Sequence, residues 1–122
     1  MTWRVAETNK HQDHVIAHVI GATPLSYFIH DETAYLLLDI GFIWNIYLDI
    51  EMGLVPERMA LSELGVDEEL LEQTSVESGP IESVELYEDG QERRLVLNCE
   101  GAAWAIETSL SHRWIRVHPW LK

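Results

Sequence analysis

LLLDIGFIWNIYLDIE, residues 36–51, is the stretch that decides the fold. From Phe42 onward its residues alternate between two faces, which is the period of a strand with one face in the core. One predicted face carries Phe42, Trp44, Ile46, Leu48 and Ile50, and the other carries Ile43, Asn45, Tyr47, Asp49 and Glu51. Complete burial of the first face would contribute about 8 to 15 kcal/mol before the entropy cost of folding. We therefore expect this strand to anchor the core.

Gly41 interrupts the hydrophobic pattern just before the alternating strand. A two-residue reversal at Ile40 and Gly41 would place a β-branched residue at positive φ, which is sterically costly. The sequence therefore predicts a bulge or sharp bend, with glycine at the strained position, rather than a clean reversal of the chain.

Residues 95–106 repeat the pattern of residues 36–46 with one additional residue, Glu100. Each copy reads as a hydrophobic triplet, Asp or Asn, Gly, and then Trp followed by Ile two residues later. The repeat predicts a duplicated unit of three antiparallel strands, in which Trp44 and Trp104 hold equivalent core positions. The alternative is a coincidence between two meanders that share a hydrophobic code.

Turn signals divide the chain into two predicted meanders, residues 14–51 and residues 80–118. Asp89-Gly90 lies between two alternating runs and is a strong hairpin signal, because both residue types tolerate positive φ. Residues 56–73 change to a helical period and predict a short helical hairpin that links the meanders. We expect an α+β fold with a mainly antiparallel sheet of about six to eight strands, which could curl into a partial barrel.

The N-terminal region predicts an arm followed by a strand. Residues 1–13 are polar and aperiodic apart from Trp3 and Val5, which is typical of a loose arm. Residues 14–20, HVIAHVI, alternate and predict the first strand. Pairing of this strand with residues 113–118 would close the sheet and protect its edges. The chain has 122 residues, enough for one hydrophobic core, so we expect a single domain.

The charge balance is strongly acidic, with 21 Asp and Glu against 8 Lys and Arg and a formal net charge of −13. A field of this sign repels nucleic-acid phosphates and anionic lipids, so we expect no nucleic acid and no membrane among the partners. A basic protein would be attracted. Acidity that serves only solubility is the alternative interpretation.

Cys99 is the only cysteine, so an intrachain disulfide is excluded. The N-terminus has no apolar signal region, and no apolar run approaches the roughly 18 residues that span a bilayer. We expect a cytoplasmic protein. Because Glu100 follows Cys99 and would disfavour a thiolate, we interpret this cysteine as a structural thiol.

Three histidines near the N-terminus, His11, His14 and His18, are the only candidate metal ligands. In a strand, His14 and His18 would lie roughly 13 Å apart, too far for one ion. Only a helix would bring the three onto one side. We therefore expect no metal and no other cofactor.

The last predicted strand places Trp114, Arg116 and His118 on one face. Aromatic rings beside Arg and His could line a pocket for an anion or a planar ligand, with Arg stacked on Trp. Asn45 and Tyr47, on the outer face of the anchoring strand, complete the candidate ligand-binding set. The alternative is that the Trp rings cover the edge of the core and that Arg116 balances local acid.

No phosphate-binding loop, nucleophile elbow or zinc-binding motif occurs in the sequence, and no catalytic residue is assigned. The leading hypothesis is a small non-catalytic binding module that engages a basic protein partner, as an inhibitory, immunity-like or regulatory protein would. A ligand-binding or enzymatic barrel-like domain with a pocket near the last strand is the alternative. A homodimer is a third hypothesis, because the chain is rich in Trp and Tyr.

Overall fold

The computed structural model describes residues 2–64 and 72–121, which contain ten strands and two helices. In chain order they are β1 (Arg4–Val5), α1 (Lys10–Val19), β2 (Pro24–His30), β3 (Thr33–Leu38), β4 (Phe42–Ile46), β5 (Met52–Pro56), α2 (Glu57–Leu64), β6 (Thr74–Ser75), β7 (Ile81–Asp89), β8 (Glu92–Cys99), β9 (Ala102–Ser109) and β10 (Trp114–Pro119).

The strands form two five-stranded antiparallel sheets. Sheet I has the order β5-β4-β3-β2-β6, and sheet II has the order β1-β7-β8-β9-β10. The predicted α+β class with antiparallel sheets is confirmed, although the described residues contain ten strands rather than six to eight. The three short strands β1, β5 and β6 were not predicted and account for the larger number.

One hydrophobic cluster joins the inner faces of the two sheets. Sheet I contributes Leu36, Trp44 and Ile46, sheet II contributes Leu95 and Ile106, and α1 adds two valines to the same cluster. A second cluster lies on the outer face of sheet I, beneath α2, and consists of Phe28, Leu37, Ile43 and Ala60. Sheet I therefore packs through apolar side chains on both faces, against sheet II on the inner face and against α2 on the outer face.

The strand predicted for residues 14–20 is wrong, because this segment belongs to α1. Asn9 caps the helix: its side chain accepts a hydrogen bond from the Gln12 backbone N–H, and the Gln12 side chain accepts one from the Asn9 backbone N–H. Gln12, Val15 and Val19 are the buried residues, at the spacing of one helical face. The predicted sheet closure is therefore wrong as well, and β10 pairs with β9 alone among the described strands.

The N-terminal arm is also partly ordered by pairing. β1 pairs antiparallel with β7, with Arg4 opposite Glu88 and Val5 opposite Tyr87. An ion pair of 3.0 Å between the Arg4 guanidinium and the Glu88 carboxylate supports this register. The arm predicted for residues 1–13 thus contains a short edge strand and the beginning of α1.

The anchoring strand ends earlier than predicted. β4 stops at Ile46, the chain turns through residues 47–51, and β5 returns along β4. The turn is closed by hydrogen bonds from Tyr47 N–H to Glu51 O and from Ile50 N–H to Tyr47 O, both 2.9 Å. The inner-face assignment of Trp44 and Ile46 is confirmed, since both are buried in the shared core.

The bend expected at Gly41 is a full reversal. β3 and β4 pair antiparallel, with Leu37 opposite Ile43, so the chain turns back between them. Gly41 has φ +78° and takes the strained position as predicted. The reversal is compatible with Ile40 because the loop is longer than two residues and leaves Ile40 out of the positive-φ region.

The two predicted meanders are present as β2-β3-β4 and β7-β8-β9, but their registers differ. Trp44 lies opposite Leu36, whereas Trp104 lies opposite Leu97, the counterpart of Leu38. The two tryptophans therefore share the inner face without holding equivalent pairing positions, which corrects the prediction. The slip arises because β8 and β9 are joined by a tight turn, with Cys99 opposite Ala102.

The hairpin predicted around Asp89-Gly90 is confirmed. Asp89 pairs with Glu92, and Gly90 between them has φ +60°. In the predicted helical linker of residues 56–73, residues 57–64 form α2, and residues 65–71, on which the second half of the predicted helical hairpin falls, lie outside the described part of the chain. Within α2, Ala60 faces the sheet and Met59 is 55% exposed.

Candidate functional site

A row of charged and aromatic side chains crosses the outer face of sheet II. Strand pairing places Tyr87 opposite Arg94, Arg94 opposite Glu107, and Glu107 opposite Arg116. His118 follows Arg116 on the same face of β10, since alternate residues of a strand point the same way. We call Arg94, Glu107, Arg116 and His118 the Glu107 cluster.

Glu107 is buried and is hydrogen-bonded by three cationic or polar neighbours. Arg94 donates to Oε2 of Glu107 from Nε at 2.9 Å and from a terminal nitrogen at 2.7 Å. Arg116 donates to Oε1 at 3.1 Å, and His118 Nε2 also contacts Oε1. A buried carboxylate is tolerated here because both of its oxygens accept charge-assisted hydrogen bonds.

The protonation of Glu107 follows from competing effects. Burial acts to raise the pKa of Glu107, but hydrogen bonds from His118 and Arg94 and the charges of Arg94 and Arg116 outweigh it. The net result is a pKa below the ordinary value for glutamate. The second ring nitrogen of His118, Nδ1, lies 2.9 Å from the Pro119 carbonyl oxygen.

Two tryptophans from opposite ends of the chain stack on Arg94. The guanidinium carbon lies 4.0 Å from the centroid of the Trp3 ring and 4.5 Å from that of Trp120. Arg116 lies 4.8 Å from the Trp114 ring in the same way. Cation–π contacts of this kind favour a desolvated guanidinium. Through these contacts, Trp3 and Trp120 are held against the middle of sheet II. The two rings cover Arg94, which is why the Arg94–Glu107 pair is shielded from solvent on the outer face.

A small cavity of about 130 Å³ lies beside the Glu107 cluster. Its walls include three arginines, Arg93, Arg94 and Arg116, and the rings of Trp3 and Trp114. Ligand pockets for drug-sized molecules usually enclose about 300 to 1,000 Å³. This cavity therefore suits at most a small polar group, and the cluster around it is already internally paired.

The residues of the predicted ligand-binding set lie on both sheets. Trp114, Arg116 and His118 are together on the outer face of sheet II, with Arg116 stacked on Trp114. Asn45 is in β4 of sheet I, opposite Tyr35, and Tyr47 begins the following turn. Glu107, Arg94 and Trp3 were absent from the predicted set. The tight turn at Glu100-Gly101 was an available signal, since it aligns Arg94 with Glu107.

A second concave surface, the loop-end cleft, lies where three chain reversals meet. Its volume is about 320 Å³, and it is lined by Asp31, Glu32, Thr33, Tyr47, Leu48, Asp49, Leu110 and Arg113. Arg113 bridges two of the loops through hydrogen bonds of 3.1 and 2.5 Å to the carboxylate of Glu32. Thr108 Oγ1 donates to Leu48 O and links the third loop to β9. The cleft is open to solvent and acidic.

Backbone strain is concentrated at the loop-end cleft. Within the described ranges, positive φ values occur at four residues other than glycine: Asp31 (46°), Glu32 (62°), Ile50 (65°) and Arg113 (55°). Three of them line the cleft, and Ile50 follows Asp49 in the same turn. For the β-branched Ile50 this conformation is the costliest. The surrounding hydrogen bonds must hold these loops in one conformation.

The N-terminal histidines lie on the helix α1 and not on a strand, so His14 and His18 are much closer together than a strand would place them. The rings of His14 and His18 have centroids 4.6 Å apart, and His18 Nδ1 lies 2.8 Å from the His14 carbonyl oxygen. His11 Nε2 lies 2.8 Å from Met52 O, which directs this ring toward β5. The described part of the chain contains no group of three or more His, Cys, Asp or Glu residues arranged to hold a metal ion.

Cys99 is buried at the end of β8. Burial raises the pKa of its thiol, although a hydrogen bond with Ser78 acts in the opposite direction. A thiol with a raised pKa is a weak nucleophile at neutral pH, so this geometry suits a structural side chain.

Comparison of the chain with protein-family models, curated proteins and solved structures gave no match. Among the helices in the described ranges, none has the length and apolar character needed to cross a membrane.

Proposed function

We propose that the protein is a small non-catalytic binding module and that its loop-end cleft engages a basic protein partner. The observation that carries this proposal is the composition of the cleft: three carboxylates, from Asp31, Glu32 and Asp49, face one guanidinium, from Arg113. The formal charge of these four groups is −3 + 1 = −2. The remaining cleft surface includes Tyr47, which is 43% exposed.

The chemistry of the cleft suits a Lys or Arg side chain of a partner. Asp31 and Asp49 carry exposed carboxylates that form no ion pair with Arg or Lys among the described residues. The Tyr47 ring offers an aromatic face beside them, on which a guanidinium can stack. A net charge of −13 on the whole chain would accelerate the approach of a basic protein, most strongly at low salt.

Preorganised loops support recognition of a protein rather than a chemical reaction. The turn of residues 47–51 is closed by two backbone hydrogen bonds, and the Glu32–Arg113 pair ties the β2–β3 turn to the β9–β10 turn. A surface that is already ordered loses little conformational entropy on binding. The cleft has the charge and ordered loops expected of a docking surface.

The experiment compares two double variants with equal charge changes. Asp31→Asn with Asp49→Asn neutralises the cleft and keeps a side-chain oxygen that can accept the Glu51 N–H bond. The control variant, Glu77→Gln with Glu82→Gln, neutralises two exposed residues outside the cleft, near the start of β7. Each tagged chain is used to capture partners from native cytosol, followed by cross-linking and mass spectrometry. We expect a basic protein that cross-links near Tyr47 with the wild type and the control, and that is lost with the cleft variant.

Two results would contradict the proposal. Equal loss of the captured protein in both variants would show that net charge alone, and not the cleft, attracts it. Retention in the cleft variant would place the interface elsewhere. Thermal melting of both variants serves as the folding control, because exposed substitutions of this kind usually change stability by less than about 0.5 kcal/mol.

A further inference from the structure

The backbone of β10 forms one open edge of sheet II. Trp120 N–H donates to Ala103 O at 2.9 Å, so Trp120 and Ala103 form a hydrogen-bonded pair of the antiparallel ladder between the chain after β10 and β9. The same alternation directs the backbone groups of Trp114, Arg116 and His118 toward β9. The N–H and C=O groups of Ile115 and Val117 therefore point away from the sheet.

Part of this edge is already occupied. Tyr27 donates its hydroxyl to Val117 O at 3.4 Å, and Pro119 has no N–H, so it blocks further pairing at that end. Within residues 2–64 and 72–121, no hydrogen bond is formed by the Ile115 N–H and C=O groups or by the Val117 N–H group. The N–H and C=O groups of Ile115 and the N–H group of Val117 are therefore left for hydrogen bonds with a partner strand.

The other sheet edges in the described ranges are shorter or covered. β1 and β6 have two residues each. β5 is contacted by both helices, and His11 of α1 lies against the Met52 carbonyl oxygen. β10 is thus the long edge strand to which no helix is packed.

The side chains around the edge differ on its two sides. On the outer side, the Arg116 side chain is 62% exposed, and only one of its terminal nitrogens contacts Glu107. On the inner side, β3 contacts β10, Tyr27 of β2 donates to Val117 O, and the Ile115 and Val117 side chains pack against the shared core. Ile115 and Val117 are only partly buried there.

We propose that β10 accepts an extended segment of another protein as an added strand, with acidic side chains on the Arg116 side and apolar side chains on the side of Ile115 and Val117. Strand addition supplies main-chain hydrogen bonds for affinity, and alternate side chains supply specificity. This surface and its acidic partner segment are distinct from the loop-end cleft and its basic partner.

Charge selects the occupant. In the Glu107 cluster, the two guanidinium groups of Arg94 and Arg116 share one carboxylate, a formal 2 − 1 = +1 in a chain of net charge −13. An acidic side chain next to Arg116 would meet this local positive charge. A second copy of the chain would bring the same cations together across a twofold axis and would also carry −13, so a homodimer through this edge is disfavoured.

The test uses short capped peptides and the full chain. One peptide alternates glutamate with valine, and the control peptide alternates lysine with valine. Binding is measured by titration followed through the backbone amide resonances of the protein. We expect the glutamate peptide alone to bind, with the largest shifts and new protection from hydrogen exchange at Ile115 and Val117.

Two variants test the geometry of the edge. Ile115→Pro removes an N–H that points away from β9, so the sheet is retained while peptide binding is lost; Ile115→Val keeps the N–H and is the matched control. Should the proline variant fail to fold, Arg116→Ala provides the second measurement. Loss of one exposed charge contact of up to about 1 kcal/mol corresponds to a fall in affinity of about fivefold or less.

Four results would overturn the proposal. They are the absence of binding at millimolar glutamate peptide, equal binding of the lysine peptide, undiminished binding by a folded Ile115→Pro variant, and a concentration-dependent dimer that Ile115→Pro abolishes. The last result, measured by sedimentation, would assign the edge to a second copy of the chain.

Discussion

The outer faces of the two sheets are both covered, but by different chemistry. On sheet I, Phe28, Leu37 and Ile43 pack beneath α2, where Ala60 is the buried helical residue. On sheet II, the Glu107 carboxylate and the Arg94 guanidinium occupy the corresponding layer, and the rings of Trp3 and Trp120 cover the guanidinium. Apolar burial is non-directional, whereas the charged layer depends on particular donors and acceptors. The two faces should therefore respond differently to substitution.

Glu107→Ala should produce the largest loss of stability. Removal of the carboxylate leaves Arg94, whose side chain is only 17% exposed, without its partner. Breaking a buried ion pair in this way costs about 3 to 5 kcal/mol. Urea unfolding at pH 7 measures the change, with Glu82→Ala, on an exposed part of β7, as the control. A loss below 1 kcal/mol would mean that Arg94 finds water or another acceptor.

A double variant sharpens this result. Arg94→Met with Glu107→Leu replaces both charges by apolar groups, which is often neutral or even stabilising in proteins. We expect the double variant to be more stable than Glu107→Ala alone. A double variant that is as unstable as the single one would show that the tryptophan rings need the guanidinium between them.

Ile43→Ala should have the next largest effect, for a different reason. Ile43 is fully buried between sheet I and α2, so truncation leaves a cavity. Such substitutions cost about 2 to 5 kcal/mol, depending on how far the surroundings relax. Ile29→Ala, at a 43% exposed position in the same sheet, is the matched control. Equal losses from the two variants would contradict the packing described for α2.

Trp3→Ala should have a smaller effect that is localised near the N-terminus. Trp3 contributes one of two rings that contact Arg94, and a cation–π contact is worth about 0.5 to 2 kcal/mol. Because Trp3 directly precedes β1, hydrogen exchange at the β1–β7 pair should accelerate more than exchange in β8 and β9. Unchanged exchange at Val5 would show that β1 is held by pairing alone.

Local patterns predicted the hairpin of β7 and β8, because Asp89-Gly90 requires only short-range turn chemistry. They failed at residues 14–20, where HVIAHVI fits both a two-residue and a helical period. The deciding signal was upstream, in the capping pair Asn9 and Gln12. The end of β4 was also missed, since the turn that follows places Ile50, a residue unsuited to positive φ, in that conformation.

The candidate sites were harder to predict than the sheets. Trp114, Arg116 and His118 share a face simply because they alternate along one strand. Their partner Glu107 required the register of β8, β9 and β10, and the Glu100-Gly101 turn indicates only the β8–β9 part, which aligns Arg94 with Glu107. No pattern in the sequence could place Trp3 on Arg94, because that contact brings together residues 91 positions apart through tertiary packing.

The pH dependence of the free energy of unfolding should differ between variants of the two outer faces. It is the smallest effect predicted here. Glu107 has a folded-state pKa below its ordinary value, so its contribution is present above the unfolded pKa of about 4.3 and is lost as pH falls through the folded value. The stability difference between the wild type and Glu107→Gln should therefore narrow in acid. Ile43→Ala removes no titratable group, and its difference from the wild type should stay constant from pH 7 to about pH 3. Urea unfolding of the three proteins across this range measures both trends, and a constant difference for Glu107→Gln would mean that Glu107 gains no preference for its charged form on folding.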